Sequence, residues 1–336
     1  MRLTLAVAAL CVLGGCVSPP YRPLEVNELV AVEIGGMEQW IAAHGERTDL
    51  PVLLWLHGGP GAAQMPVGRA YNGNLESAFI VVHWDQRGAG KSNPRDFDEQ
   101  TMTFERYVED VHEVTRYVKS RFGRESVYLL GHSWGTQIGL AAAHRHPHYY
   151  AAYIGVSQVV DADVAQVIAH RELRRRLQES GSARDVRRLD RLTGPPYREH
   201  GEYVTFAKML DTMDMNMDVG MGPLARAAIR SELYSVGDLS RWLRGANRGS
   251  GPMWEELQGF AMLDRAPSVD VPCFFIVGEE DYNTPAELVR RFTEQLRAPH
   301  KELIVFAGAA HTPFFADPER LLSELERVRD MTLKEP

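Results

Sequence analysis

The sequence predicts an α/β fold: a mostly parallel central sheet, helices on both of its faces, and a helical insertion late in the chain. Two observations carry this. Short apolar runs (PVLLWL, FIVVHW, VYLL, AAYIGV, CFFIV) alternate with longer stretches of helical periodicity. Unbroken apolar runs suit parallel strands, which are covered on both faces. From about Asp161 to Arg265, by contrast, no comparable buried strand appears.

The elements follow in order. LVAVEI and MEQWIAA flank Gly35-Gly36 and read as a β-hairpin. PVLLWL then runs into HGGPG, and FIVVHW into DQRGAG, each a strand that ends in a glycine-rich loop. TFERYVEDVHEVTRYVKSRFG places Phe104, Val108, Val111, Val114 and Val118 at helical spacing and stops at Gly123. VYLL, a helix and AAYIGVSQ lead into the insertion. There RELRRRLQESGSARDVRRLDRL sets leucines at helical intervals with arginines between them, the pattern of a solvated helix face rather than an anion site. Met209 to Met221 (MLDTMDMNMDVGM) is methionine-rich, which suits core packing or an adaptable apolar wall. The strand pattern resumes at CFFIV, with the helix PAELVRRFTEQL, the strand ELIVF and a last helix at PERLLSELERVR.

At 336 residues the chain can hold one core and an insertion. Hydrophobic content of 44% and charged content of 24% describe a globular protein, and a net charge of −8 gives no reason to expect nucleic acid as a partner. The N-terminus stands apart. MRLTLAVAALCVLGGC has one charge, Arg2, and then an apolar run of roughly 13 residues to Gly15. Spanning a bilayer takes about 20, so the run has the length of a signal-peptide core. Leu13-Gly14-Gly15-Cys16 resembles the lipobox of bacterial lipoproteins, where small residues precede a cysteine that becomes lipidated and N-terminal. The expected organisation is therefore a signal peptide at 1–15, a proline-rich tether at 16–24, and a core at 25–160 and 266–336 interrupted by a helical cap at 161–265. On this reading the protein is exported and lipid-anchored to a bacterial membrane. Only Cys273 would remain as a free thiol.

Ser133 lies in GHSWG, between an apolar run and an Ala-rich helical stretch. A chain that turns sharply from strand to helix needs small residues two positions either side of the apex, and such a turn lifts the apex side chain clear of the sheet. It also aims the free N–H groups of the new helix at whatever binds there. This is the Gly-x-Ser-x-Gly nucleophile elbow.

A serine hydroxyl needs a base to take its proton, and the base needs a carboxylate to fix its tautomer. With 12 histidines, composition cannot choose the base, but position can. His311 follows the strand ELIVF, and Asp281 follows CFFIV in a loop that ends at Thr284-Pro285, where a helix starts. Both occupy strand-end loops in the order Ser, Asp, His. Glu279, Glu280 and Asp161 are the other candidates for the acid. His132 is expected to pack or hydrogen-bond, while His144, His146 and His148 look like a helix C-terminus. The oxyanion hole needs two N–H donors: the Trp134 backbone, and one from the loop after PVLLWL, at Gly59.

HGGPG at His57–Gly61, DQRGAGKS at Asp85–Ser92 and GHSWG at Gly131–Gly135 together resemble the prolyl aminopeptidase (proline iminopeptidase) family of α/β-hydrolases with a helical cap. The similarity covers about Leu29 to Val156 and again from about Ala266 onward. It implies an α/β-hydrolase fold, the triad Ser133, Asp281 and His311, and a Trp134 side chain that helps wall the substrate pocket. Members of that family hold the substrate amine with cap glutamates, commonly in a Trp-Glu segment. This cap has no clear counterpart, and Glu199, Glu202 and Glu232 are the candidates.

The expected function is a serine hydrolase, an aminopeptidase that releases N-terminal residues such as proline, with no metal or organic cofactor and a small peptide or acyl substrate. An esterase or small-amide hydrolase is the alternative within catalysis, and a non-catalytic binding module the alternative outside it. The N-terminal reading has its own test. Expressed in a bacterial host, the protein should incorporate labelled palmitate and sediment with membranes, and Cys16→Ser should lose the label; incorporation that survives the change rules out Cys16.

Overall fold

The computed structural model describes residues 23–333, so the expected signal segment and Cys16 lie outside the described residues. Within them, eight strands form one sheet: β1 (Val26–Ile34), β2 (Met37–Gly45), β3 (Val52–Leu56), β4 (Ile80–Asp85), β5 (Val127–His132), β6 (Tyr150–Val156), β7 (Cys273–Gly278) and β8 (Lys301–Phe306). Their spatial order is β1-β2-β4-β3-β5-β6-β7-β8. The first two strands and the β2–β4 pair are antiparallel, and every other neighbouring pair is parallel. Gly35 and Gly36 form the hairpin turn with φ of 56° and 75°, a conformation that costs glycine nothing.

Strand pleating splits the apolar runs between two layers. Leu54 and Leu56 join one core cluster, whereas Leu53 and Trp55 join the other. The helices are α1 (Met65–Asn72), α2 (Phe104–Phe122), α3 (Trp134–Arg145), α4 (Ala162–Glu179), α5 (Ala183–Leu189), α6 (His200–Asp211), α7 (Met221–Arg230), α8 (Val236–Arg248), α9 (Trp254–Leu257), α10 (Met262–Arg265), α11 (Ala286–Gln295), α12 (Pro313–Ala316) and α13 (Pro318–Thr332). The valine stripe of α2 is buried; Thr103 caps its start, and Gly123 closes it in the left-handed conformation. Helix α1 was not anticipated: it is short, and Gly68 lowers its helical propensity, although Pro66 sits in the first turn where proline is tolerated. Gly68 is needed there, since a Cβ would fall 2.4 Å from the His83 ring.

Helices α4 to α10 occupy the connection between β6 and β7. They have a core of their own, including Leu173, Leu177, Leu189, Tyr197, Phe206 and Met215. The arginine run in α4 is neutralised locally: Arg174 pairs with Asp190, Arg175 with Glu172 and Glu179, and Arg176 with Glu172 and Glu280. Helix α8 docks this insertion on the loops after β3 and β4. Trp242 donates to the Ala63 carbonyl at 2.8 Å, Arg244 to the Asn93 carbonyl at 2.7 Å, and Lys91 pairs with Asp238 at 2.7 Å. At Gly61 the two backbones nearly touch, as a Cβ there would sit 2.5 Å from the Gly245 oxygen.

Asp85, at the end of β4, is buried in this seam. Its Oδ2 accepts the Lys91 N–H at 2.7 Å and the Tyr234 hydroxyl, while Oδ1 has no partner among the described residues. Burial pushes the carboxyl up to about 7, against the opposing effect of those two donors. An unfolded aspartate titrates at about 3.9. Between those two values the folded protein holds a proton that the unfolded chain has released, so Asp85 costs stability progressively as pH rises through that window. In Asp85→Asn the amide oxygen can accept both donors and nothing titrates. The melting temperature of the wild type relative to this variant should therefore decline from about pH 4 to about pH 7 and then level off. A difference that stays constant across thermal scans at these pH values would show that burial does not retain the proton.

Candidate active site

The turn from β5 into α3 places Ser133 at φ 52°, ψ −119°. Such a conformation costs a non-glycine residue about 1–3 kcal/mol and persists only where its surroundings enforce it. Here they do. The Ser133 N–H is held by the Val156 carbonyl at 3.0 Å, and its carbonyl accepts the Thr136 N–H at 2.8 Å. A Cβ on Gly131 would meet the Gly135 oxygen at 2.5 Å, and one on Gly135 the Leu56 oxygen at 2.2 Å. Only glycine lets strand and helix pass at this distance.

Asp281 and His311 come from the loops after β7 and β8, and they meet. The imidazole Nδ1 lies 2.9 Å from Asp281 Oδ2, with both side chains buried. Asp281 also accepts from Thr284 Oγ1 at 2.6 Å, Thr284 N at 2.8 Å and Asn283 N at 2.9 Å. Burial alone would raise its pKa, but His311 and the Thr284 donors outweigh burial and hold the carboxyl below the ordinary range. Asp281 is therefore charged at neutral pH, and Nδ1 carries the proton that faces it. The other ring nitrogen, Nε2, is left as an acceptor, and the Asn283 amide donates to it at 3.2 Å.

The remaining candidates for acid and base have other tasks. Asp161 caps α4 by accepting from Val164 N, Glu279 accepts from Gly308 N, and Glu280 pairs with Arg176. His144 bonds the Ser268 carbonyl, and His146 stacks on His112. His132 is fully buried, and burial, followed by the neighbouring His311, lowers its pKa to about 3. The neutral ring accepts from Gln64 and donates Nε2–H to the His311 carbonyl, which ties the residue before Ser133 to the histidine loop.

The two glycine-rich loops are joined beneath the site. Burial lowers the His57 pKa to about 4; its Nε2 accepts the Gln86 N–H, so Nδ1–H donates to the Gly58 carbonyl at 2.8 Å. Gln86 in turn donates to the His57 carbonyl and accepts from the Trp134 indole at 3.0 Å. Gly58 lies against the elbow, with a Cβ position 3.2 Å from Ser133 Cβ. Trp134 opens α3, where a first-turn N–H has no intrahelical acceptor. Gly59 and Trp134 both line one cavity together with Ser133.

That cavity runs from Ser133 under the inserted helices. Its walls are apolar and aromatic (Val160, Phe206, Leu257 and Tyr203 among them) with carboxamides at Gln137, Gln158, Gln166, Gln258 and Asn283, and no charged side chain lines it among the described residues. Glu199, Glu202 and Glu232 are not part of the lining. Glu202 is turned to Thr193, whose N–H and hydroxyl it accepts, and Glu199 and Glu232 are exposed. A cap carboxylate facing the pocket was the sequence expectation, and the structure does not bring these residues there. Sequence reasoning also missed Asn283, Gln86 and Gln137. The one signal for Asn283 was its place beside Asp281.

Comparisons with known proteins agree with this architecture. A profile of the alpha/beta hydrolase fold family matches residues 51–318. A Bacillus subtilis protein named "Probable aminopeptidase YbaC" is 31% identical over 301 residues, 88% of this chain and 94% of that one. A proline iminopeptidase of Lactobacillus delbrueckii subsp. lactis is 25% identical, covering 86% of this chain and 95% of its own length. The crystal structure of a Mycobacterium smegmatis proline iminopeptidase superposes with a TM-score of 0.66 at 22% identity, covering 92% of this chain and all of that one, a likeness of fold.

Proposed function

The chain belongs to the α/β-hydrolase family, and on that premise we propose that it is a serine aminopeptidase that releases uncharged N-terminal residues, proline among them. The observation that carries the reading is the buried Asp281–His311 pair, whose Nε2 accepts from Asn283, a residue that lines the same cavity as Ser133. In the proposed cycle Ser133 Oγ attacks the scissile carbonyl while His311 Nε2 takes its proton. Asp281 holds the Nδ1–H and stabilises the imidazolium that forms. The N–H groups of Gly59 and Trp134 receive the oxyanion, and the imidazolium protonates the leaving amine. Water then hydrolyses the acyl-enzyme by the same route in reverse. Export and acylation at Cys16 belong to the proposal too, resting on residues 1–16 alone.

The uncharged lining favours an apolar or prolyl side chain in the pocket. It also bears on the amine. The Gln137 carboxamide oxygen is buried without a partner among the described residues, whereas Gln158 and Gln166 already accept from Tyr153 and Tyr197. Gln137 is thus the neutral acceptor proposed for the substrate amine. The same lack of a carboxylate favours the second reading, an esterase or small-amide hydrolase with no use for a free amine.

Ser133→Ala should abolish turnover of aminoacyl-β-naphthylamides, a loss on the order of 10⁶ by comparison with other serine hydrolases, while circular dichroism and melting temperature stay close to wild type. Wild-type activity in this variant would overturn the mechanism. For the amine, a charge-assisted hydrogen bond contributes about 1.5–3 kcal/mol, so prolyl-β-naphthylamide should exceed its N-acetyl form by roughly ten- to hundredfold in kcat/KM. Equal rates for the two would transfer the assignment to the esterase reading.

A further inference from the structure

The methionine-rich segment between α6 and α7 has no part in the chemistry described above, yet it reaches both loops that carry the acid and the base. The Met215 carbonyl accepts the Tyr282 N–H at 3.1 Å, next to Asp281. The Asn216 carbonyl accepts the His311 N–H at 2.6 Å. Asp218 then brackets the histidine: Oδ1 accepts the Ala310 N–H at 2.6 Å, and Oδ2 accepts the Thr312 N–H at 2.7 Å and its hydroxyl at 3.0 Å. The Asp218 N–H returns to Thr312 Oγ1 at 3.1 Å. Three consecutive N–H groups, at 310, 311 and 312, thus end on this one segment of the insertion.

From this geometry we propose that Asp218 is a positioning residue for the base, and that residues 215–218 of the cap form part of the catalytic framework. The proposal rests on the reading of His311 as the base. The chemistry explains why an aspartate stands there. Two converging N–H donors need an acceptor with two oxygens on a short stem, and a carboxylate provides both. Asparagine offers one oxygen and turns an NH2 group toward the second donor. On the other side, the His311 carbonyl is held by His132 Nε2 at 2.9 Å and Ser157 Oγ at 3.0 Å, both from the core. The backbone of the base is therefore clamped between core and cap, so the imidazole is held in register only while the cap is docked.

Asp218 is not among the residues that line the pocket, so its loss should act on kcat and not on binding. A displacement of about 1 Å at a reacting group costs on the order of a hundredfold. Asp218→Asn is expected to lower kcat by about that factor while KM stays within about threefold. The low-field proton NMR resonance of the His311 Nδ1–H should shift or broaden as well. Thr312→Val removes the hydroxyl that both donates to and accepts from Asp218 and serves as a second, milder probe. It should lower kcat in the same way, and in its background Asp218→Asn should cost less, since groups in one network do not act additively. A folded Asp218→Asn or Thr312→Val protein with kcat within threefold of wild type would overturn the proposal, as would a fall in kcat with the Nδ1–H resonance unmoved. His311→Ala separates the two readings: if it stays active, the assignment of the base fails, whereas an inactive His311→Ala beside a fully active Asp218→Asn removes the clamp alone.

Discussion

Helix α3 leaves strand β5 at so short a distance that Gly131 and Gly135 have no room for a Cβ. The residue between them must take a positive φ, and at 52° Ser133 does so with a side chain that is not glycine's. Few sequences tolerate this, and the cost is spread over the surroundings: the Val156 carbonyl on one side, the first turn of α3 on the other. The same close passage brings the N-terminus of a helix, with its unpaired N–H groups, to the edge of the cavity. Nucleophile position and oxyanion donor are two results of one packing constraint.

Around that turn, buried polar groups are placed so that each fixes the next. Trp55 donates to Gln64, Gln64 to His132, and His132 to the carbonyl of His311. His57 and Gln86 join the loop after β3 to the loop after β4, and Gln86 holds the Trp134 indole. Burial keeps His57 and His132 neutral, so each ring has one donor and one acceptor nitrogen and can pass a hydrogen bond in a single direction. A network satisfied in this way is rigid, which suits a site whose geometry matters to a fraction of an ångström.

The inserted helices are more than a cover. Helix α8 meets the loops after β3 and β4 by backbone contact at Gly61 and Gly245 and by the buried Lys91–Asp238 pair. The segment after α6 meets the loops after β7 and β8. Insertion and core thus share the loops that carry the chemistry, and Gly61 of HGGPG and Gly90 of DQRGAG are required by this seam. Gly90, for instance, has no room for a Cβ because Tyr234 Oη and Asp85 Oδ2 lie 2.1 and 2.2 Å from that position.

Much of this was legible in the sequence, for a physical reason. Periodicity and small-residue spacing record local constraints, which are settled within a short stretch of chain; the valine face of α2 could be read from the first, the hairpin and the elbow from the second, and the loops holding Asp281 and His311 from their place after apolar strands. Helix α1 could not, since it is short and carries Gly68 for the sake of a neighbour, His83, that only the fold supplies. The orientation of the cap glutamates was equally hidden, because a charge on a helix looks the same in sequence whether it meets Thr193 or a substrate. Asp218 and Thr312 stand 94 residues apart, and nothing in either segment announces the other. The sequence by itself determined which residues could react, through small-residue spacing and strand ends; the tertiary structure alone decided which groups hold them, because hydrogen-bond partners between distant segments exist only once the core has packed.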